Sequence, residues 1–449
     1  MKKSSNNIYS CEGIPKVFAF TLTQTFKNRA YRISFIIFIV MMMVMGPMNY
    51  LSASAGMNAA KSTDAINDEM NLKRITFVNT TYIPFTSADA ELEDTGFAVA
   101  ELGDAEAVPE HLADDEIAVL IDRKKVEEQD TYVVNAIVSD TSNITGAELD
   151  ALCDHLMERF VQARRDAANL GEAQMEILQK GLEDGGALSY EEYKAEQNST
   201  YTNRQLGNYN MTYSLILMIL VALTGSYVVA SVMEEKTSKL VENLMVSVRP
   251  LALIFGKILA MMCYVFSMIV IGAAGSFISN GIMNSVAGPS VALEVSGMLN
   301  FSQLFTFAGV KGLIMLPCIL LTYLMFSILA GLMGSACIKM EDSASAIGTI
   351  AMLNMAGYMV GMMLPNFAGT KALTIASVIP FVSSYIAPVA YICGRVPLWA
   401  FLLGLALQIV ICVVLFVVCA KTYRKLIVND SKKIGLAGIL KMALKKEVA

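Results

Sequence analysis

Charge is what this sequence has least of. Only 16% of its 449 residues are Asp, Glu, Lys or Arg, 55% are hydrophobic, and the mean hydropathy is +0.52. A soluble domain carries about 25% charged residues, so the composition reads as an integral membrane protein. Eight cysteines are scattered along the chain, and only Cys153 falls in the long acidic segment Leu51–Asn208, which excludes an internal disulfide framework there. The two histidines, His111 and His155, lie in that same segment, and no Cys/His group has metal-ligand spacing. His155 sits on a predicted amphipathic helix and reads as a surface residue. The phosphate cradle G-x-x-x-x-G-K-[ST] is missing, since Gly369-Thr370-Lys371 lacks both the first glycine and the following hydroxyl. No G-x-S-x-G, H-E-x-x-H or C-x-x-C occurs either. Ionisable residues are nearly absent from the apolar runs, with Lys311 and Lys371 placed at span ends where long side chains snorkel. These absences argue against an ion-motive pump or a catalyst built from this chain alone, and no cofactor or metal is expected on it.

What charge there is divides unevenly. Leu51–Asn208 holds 31 Asp or Glu against 12 Lys or Arg, and the rest of the chain holds 9 against 22. Because basic loops stay cytoplasmic, the acidic and basic parts sit on opposite sides of a membrane. The expected fold class is an α-helical integral membrane protein. It has six transmembrane helices plus a re-entrant helix pair, with an extracytoplasmic α+β domain inserted between spans 1 and 2. A bacterial plasma membrane is the expected location, with both termini cytoplasmic and no nucleic-acid partner.

In order, residues 1–32 read as a cytoplasmic start with an interfacial helix at Ile14–Ala30, whose Val17, Phe18, Leu22 and Phe26 recur at helical spacing. Span 1 covers 33–52; its Met41-Met42-Met43 and the other methionines, 29 in all, read as adaptable packing residues. The external domain covers 53–208. Strands are expected at Ile75–Phe77, Glu116–Ile121 and Tyr132–Val138, and helices at Ala147–Leu170 and Glu172–Leu182. Its acidic residues Glu91, Glu93, Asp94, Asp114, Asp115, Glu127 and Glu128 read as a solvated face, and Asn143-Ile144-Thr145 fits a glycosylation sequon. Span 2 follows at 209–231, a cytoplasmic helix at 232–252, span 3 at 253–279, an external loop at 280–308, span 4 at 309–338 and span 5 at 343–365. Small residues Gly331, Gly334, Ser335 and Ala336 suit a close helix approach in span 4. Lys339, Glu341 and Asp342 form a tight cytoplasmic turn. Asn354 in mid-span 5 is costly in lipid, so it faces protein, a partner helix or a pathway as a polar contact inside the membrane, with packing favoured.

Residues 366–395 are apolar enough to span but carry Pro380 and Pro388. Five spans from a cytoplasmic start leave the chain outside at Asn366. A full crossing would then put the tail 421–449 outside, after span 6 at 396–420. That tail holds Lys421, Arg424, Lys425, Lys432, Lys433, Lys441, Lys445 and Lys446, which opposes such a topology. A re-entrant pair returning to the outer face restores parity, and protein can bury its irregular backbone.

Val232–Lys257 joins two runs, Met211–Val232 and Ile258–Ser279, of 22 residues each without Asp, Glu, Lys or Arg. Val241, Leu244, Met245 and Val248 repeat at helical spacing, and Glu235→Lys239 is an i,i+4 pair. Pro250 ends that pattern. The expectation is a small amphipathic helix with Glu234, Glu235, Lys236 and Lys239 outward. The run E-E-K-x-x-K-x-x-E-N-L-M-x-S-V-x-P-L-x-L-x-x-G-K resembles the cytoplasmic loop of type-2 ABC exporter permeases, particularly the bacterial Nat-type, sodium-efflux-like branch. The segment order extends the resemblance over nearly the whole chain. It implies that Glu234, Glu235, Lys236, Lys239, Glu242, Arg249, Pro250, Gly256 and Lys257 couple to a separate ATPase subunit, which carries ATP and Mg. It also implies a second permease copy or paralogue, and a re-entrant element at Pro380, Ser383, Ser384 and Pro388 like that of these exporters. The implied activity is export of sodium ions or of a small amphipathic, peptide or antibiotic substrate. A different class remains open: a surface receptor or secretion-accessory protein of the phage-infection type, or an antibiotic sensor, in which the external domain is the working part.

Overall fold

The computed structural model describes residues 13–40, 43–44, 72–90, 92, 98–102, 112–126, 129–139, 142, 144, 146–168, 182–190, 193–194, 201–238, 250–287, 312–367, 369–428 and 435–444. The chain opens with α1, Ile14–Lys27, and α2, residues 29–40, separated at Asn28. Asn28 has extended backbone; its N–H returns to Gln24 and its side-chain Oδ1 accepts from the Ala30 N–H. One residue therefore caps two helix ends. The buried stripe of α1 is Val17, Thr21 and Thr25, whereas Phe20 and Phe26 are exposed. This differs from the expected stripe through Phe18 and Phe26, because small β-branched residues let α1 lie closer to its neighbour.

Five strands follow: β1 Arg74–Asn79, β2 Ala98–Leu102, β3 Glu116–Val126, β4 Gln129–Val138 and, after α3 Gly146–Ala168, β5 Leu182–Ser189. They form one sheet in the order β2-β1-β3-β4-β5, antiparallel only between β3 and β4. Ile117, Val119 and Ile121 face α3, meeting Leu149, Leu152, Leu156 and Phe160. Ala118 and Leu120 on the reverse face pack with Val78, Ile137 and Tyr193. Central strands buried on both faces read as continuous apolar runs, as β3 and β4 do. Strand β2 (AVAEL) and strand β5 (LEDGGALS) lack that signature and were not expected. Of the helix expected at Glu172–Leu182, residues 172–181 lie outside the described residues, and Leu182 itself opens β5. His155 is half-buried, its Nε2 3.2 Å from the Ala90 carbonyl, rather than on a free surface.

The helical part comprises α4 Asn203–Thr237, α5 Pro250–Ala287, α6 Gly312–Ala336, α7 Met340–Phe367, the short α8 Thr370–Ala376 and α9 Ser383–Ile392, α10 Leu398–Ile427 and α11 Leu436–Leu444. Helix α4 starts on a reciprocal cap in which Thr202 Oγ1 accepts from the Gln205 N–H and Gln205 Oε1 from the Thr202 N–H. Its 35 residues reach about 52 Å at 1.5 Å per residue. That exceeds the roughly 30 Å hydrocarbon core of a bilayer. Among the described residues, five helices are long and apolar enough to cross a membrane: Gln205–Thr237, Leu251–Gly272, Leu313–Ala336, Met340–Pro365 and Leu398–Ile427. Most of 33–52 after Val40 lies outside the described residues. Residues 29–40 and 43–44 nonetheless run along α5, with the Tyr31 carbonyl accepting from Tyr264 Oη and the Met43 carbonyl from Ser279 Oγ.

Helix α4 is the axis of the bundle. Helix α7 runs antiparallel to it, with Asn354 bonded to Met218 O and Gly361 O bonded to Asn210. Gly331 and Gly334 of α6 stand at the crossing: a Cβ on Gly331 would lie 2.6 Å from Ile254 Cδ1, and one on Gly334 3.2 Å from Val229 Cα. Close backbone approach through small residues is how helices pack without a hydrophobic drive between them. Apolar side chains such as Val270, Leu313, Met352, Leu402 and Val413 point away from the bundle.

Candidate functional site

Two polar clusters hold the bundle, one at the end where α4 stops and one reaching from the opposite end to mid-span. The first gathers at the C-terminal end of α4. Val232–Thr237 continues α4 without a break, so the two glutamates and Lys236 stand on the last turns of a spanning helix. Helix α5 then begins at Pro250, where a missing N–H costs nothing because the first-turn donors are unpaired anyway. Glu234 is exposed. Glu235 turns inward to Lys257, with Nζ 2.6 Å from Oε2 and side-chain exposures of 12% and 1%. Lys257 also donates to the Ser231 carbonyl at 3.0 Å, which ties α5 to α4.

Lys236 is buried as well, and its ammonium donates to Ser335 O and Leu426 O, both at 3.0 Å. Those carbonyls belong to the last turns of α6 and α10, where helix acceptors lack intrahelical partners and the dipole is negative. A single cation thus caps two helices and fastens both to a third. The outward placement expected for Lys236 is corrected: its long stem lets the charge reach across the interface to unsatisfied carbonyls. Glu235, also expected outward, is corrected likewise: it turns inward because Lys257, buried on the second turn of the span helix α5, demands a counter-charge.

Gly256 takes its place for another reason. A Cβ there would stand 2.7 Å from the Val17 side chain and 3.2 Å from the Ile14 carbonyl, so Gly256 lets α1 cross α5. Lys239, Glu242 and Arg249 lie outside the described residues. The same end of the bundle carries exposed Lys339 and Glu341 on the α6–α7 turn and exposed Lys421, Arg424 and Lys425 on the last turns of α10. Asp342 Oδ2 accepts from the Ile338 and Lys339 N–H groups and closes that turn. Sequence reasoning used these residues for topology and did not bring them into the site.

The second cluster surrounds α8 and α9. Helix α7 ends, and α10 begins, at the end of the bundle where α4 starts, so α8 and α9 leave and return on one side. The reversal lies at Phe381, whose φ of 72° is rare for a residue with a side chain. Pro380 precedes it, and Pro388 sits inside α9 without ending it, so the break the two prolines were expected to share belongs to the 377–382 turn. Ser383 and Ser384 are both buried. Gln408 of α10 donates to Ser384 Oγ at 2.7 Å and to Thr322 Oγ1 at 2.8 Å.

Asn354 donates to Met218 O at 3.0 Å and accepts from Tyr385 Oη, so its amide links α7, α4 and α9. Ser214 Oγ donates to Tyr385 O at 2.9 Å. Gly357 and Gly361 form the slot for that tyrosine, where a Cβ would come within 2.6 Å of it. Gly404 admits the Ser377 carbonyl, which would lie 2.1 Å from an added Cβ. The spacing Gly357-x-x-x-Gly361 was a readable sign of this slot. Among the described residues no three His, Cys, Asp or Glu side chains gather closely enough to hold a metal ion.

A long-helix bundle with five apolar spans and a charged knot at one end defines a multi-pass membrane protein, and its sequence places it in a family. The family described as ABC-2 family transporter protein matches residues 29–421, so the chain belongs to the ABC-2 transporter permeases. A relative from Bacillus subtilis (strain 168), described as "Uncharacterized protein YhaP", is 25% identical over 259 residues. The alignment covers 57% of this chain and 60% of that protein's length. No solved structure matches. Membership of this family does not favour the receptor or secretion-accessory reading.

Proposed function

We propose that this chain is the permease subunit of an ABC exporter of the Nat-type, sodium-efflux-like branch. It couples to a separate ATPase subunit through the end of the bundle that carries Glu234. The observation that carries the reading is the knot at that end. Because Glu235–Lys257 and Lys236 lock α4, α5, α6 and α10 together, a push on the exposed residues beside them moves four helices at once. Glu234, Lys339, Glu341 and Arg424 form the described part of the docking face, and Lys239, Glu242 and Arg249 complete it. ATP and Mg bind the partner subunit, whose closure favours one bundle arrangement over another. Both termini are cytoplasmic. Residues 33–52 supply a sixth span, α8 and α9 form a re-entrant element on the outer side, and the sheet stands outside the membrane.

Two such subunits, alike or related, make the translocation unit. The substrate is a sodium ion or a small amphipathic, peptide or antibiotic molecule. The acidic side chains of the five candidate spans, Glu234, Glu235, Glu341 and Asp342, all stand at helix ends, which favours the amphipathic class.

Glu234→Lys tests the coupling role without touching the core. Purified from native membranes, the variant is expected to lose its ATPase subunit and transport-stimulated ATP hydrolysis while its melting temperature stays that of the parent. A Glu234→Lys protein that retains a stoichiometric ATPase partner at full activity would rule the docking face out.

A further inference from the structure

One charged surface takes no part in the docking face or in the packing of the bundle. On α2 the side against α5 is Tyr31 and Phe38, both buried, with Ser34 and Phe35 half-buried. The opposite side carries Ile33, Ile36, Ile37 and Val40, each more than half exposed. An apolar stripe of that kind on a membrane helix lies against acyl chains. Arg29 and Arg32 are exposed on the same side, each four residues before an isoleucine of the stripe. Neither guanidinium has a partner among the described residues, and Ile14–Val40 contains no Asp or Glu. Tyr31 lies between the two arginines and sets their depth. Its carbonyl accepts from Tyr264 Oη, and Tyr264 stands about two turns beyond Lys257 on α5, about 10 Å along the axis. The arginines are therefore on the membrane side of the docking face, where lipid and not the ATPase subunit is the neighbour.

We propose that Arg29 and Arg32 form a headgroup site for an anionic phospholipid, in the leaflet that surrounds the charged end of the bundle. Unpaired charge beside acyl chains is costly. A long arginine stem answers by carrying its guanidinium toward the interface, where a lipid phosphate supplies the counter-charge and accepts from its planar fork of N–H donors. Side chains three apart on a helix have Cβ atoms about 5–6 Å apart, which puts both forks within reach of one phosphodiester. With no carboxylate on α1 or α2 to offset them, the two cations favour a lipid of net negative charge over a zwitterion, whose ammonium they repel. The isoleucine stripe beyond them seats the acyl chains. Orientation of a span requires only that cations stay on one side of the membrane; a shared face, one-turn spacing and unpaired guanidinium groups are what a headgroup site adds. The inference rests on the chain spanning a membrane and not on the coupling reading.

The test uses the full chain in vesicles. Trp399 is its single tryptophan, so Trp399→Phe combined with Ile36→Trp reports quenching by the lipid beside the stripe. The vesicles mix phosphatidylglycerol with phosphatidylcholine, and the bromine that quenches is placed on the acyl chains of one lipid and then of the other. Phosphatidylglycerol should be preferred at that position by about twentyfold, about fivefold for each arginine. Arg29→Gln and Arg32→Gln, both at exposed positions, should each lower the preference about fivefold. Lys16→Gln removes an exposed cation next to the Gly256 crossing, nearer the charged end, and should leave it within about twofold. Equal occupancy by the two lipids in the reporter protein, or an unchanged preference when Arg29→Gln and Arg32→Gln are combined, would overturn the site. So would a loss in Lys16→Gln as large as that in Arg29→Gln, since a diffuse positive field would then explain the preference. No ATPase is present in these vesicles, so either result leaves the coupling reading where it stands.

Discussion

The two ends of the helical bundle are held by different chemistry. Around Glu235, Lys236 and Lys257 the binding groups are charged; around Asn354, Tyr385 and Gln408 they are neutral amides and hydroxyls. The charged end ties together regular helices at their termini, where carbonyls lack partners and a dipole favours a cation. The neutral end ties an irregular segment, α8 and α9, to three regular helices, and there the task is to satisfy backbone and side-chain groups without an uncompensated charge. Charged links hold only while every partner is present. Neutral links are individually weaker and lose less when one is removed.

The largest effect should come from splitting the buried ion pair. Glu235→Leu leaves Lys257 buried without its counter-charge and should destabilise the bundle by about 3–5 kcal/mol. Glu235→Leu with Lys257→Met replaces both charges by apolar groups of similar size and should recover most of that loss. Thermal unfolding in detergent checks both variants. A double variant as unstable as the single would show that the pair's carboxylate serves some partner besides Lys257. Lys236→Met comes next: it keeps the apolar stem, strands the carbonyls of Ser335 and Leu426, and should cost about 1–3 kcal/mol. Faster amide exchange confined to the last turns of α6 and α10 is the accompanying sign.

How far these two ends could be read from sequence differs as well. Five long apolar runs were plain, because length and hydropathy are local properties, and the chain's family was legible in the order E-E-K…P…G-K. What was not legible was which way each charge points. Glu234 and Glu235 are adjacent on a helix, so about 100° of rotation sends one to solvent and the other to Lys257. Gly256 looked like part of a docking motif, yet its neighbour is Val17, more than two hundred positions earlier. Similarly, β2 and β5 depend on pairing with strands that carry the apolar signal, and their own residues carry little of it.

At the neutral end the expected losses shrink. Tyr385→Phe removes one hydroxyl from a ring that stays seated against Gly357 and Gly361 and leaves Asn354 Oδ1 short of a donor. Membrane-buried hydrogen bonds contribute about 0.6–1.7 kcal/mol, so the variant should fold and melt slightly earlier than the parent. A loss as large as that of Glu235→Leu would erase the contrast between the two ends.

The smallest effect belongs outside the bundle, at the Lys73–Asp115 pair on the sheet. The Lys73 hydrogen bond holds the Asp115 carboxyl below its usual range, and the Asp115 carboxylate raises Lys73. A depressed carboxyl contributes stability that is present above its unfolded pKa and is lost as pH falls through the folded value. The contribution should therefore fade below about pH 4, the ordinary aspartate range, and the raised lysine should give its share up only in strong alkali. Both groups are exposed to water, so screening keeps the effect slight. Its sensitive reporter is the backbone bond from the Lys73 N–H to the Asp115 carbonyl, 3.0 Å long beside the pair. Acidification should lower amide protection at Lys73 within about threefold, and Asp115→Asn should abolish that pH dependence while leaving the Glu235–Lys257 end of the bundle unchanged.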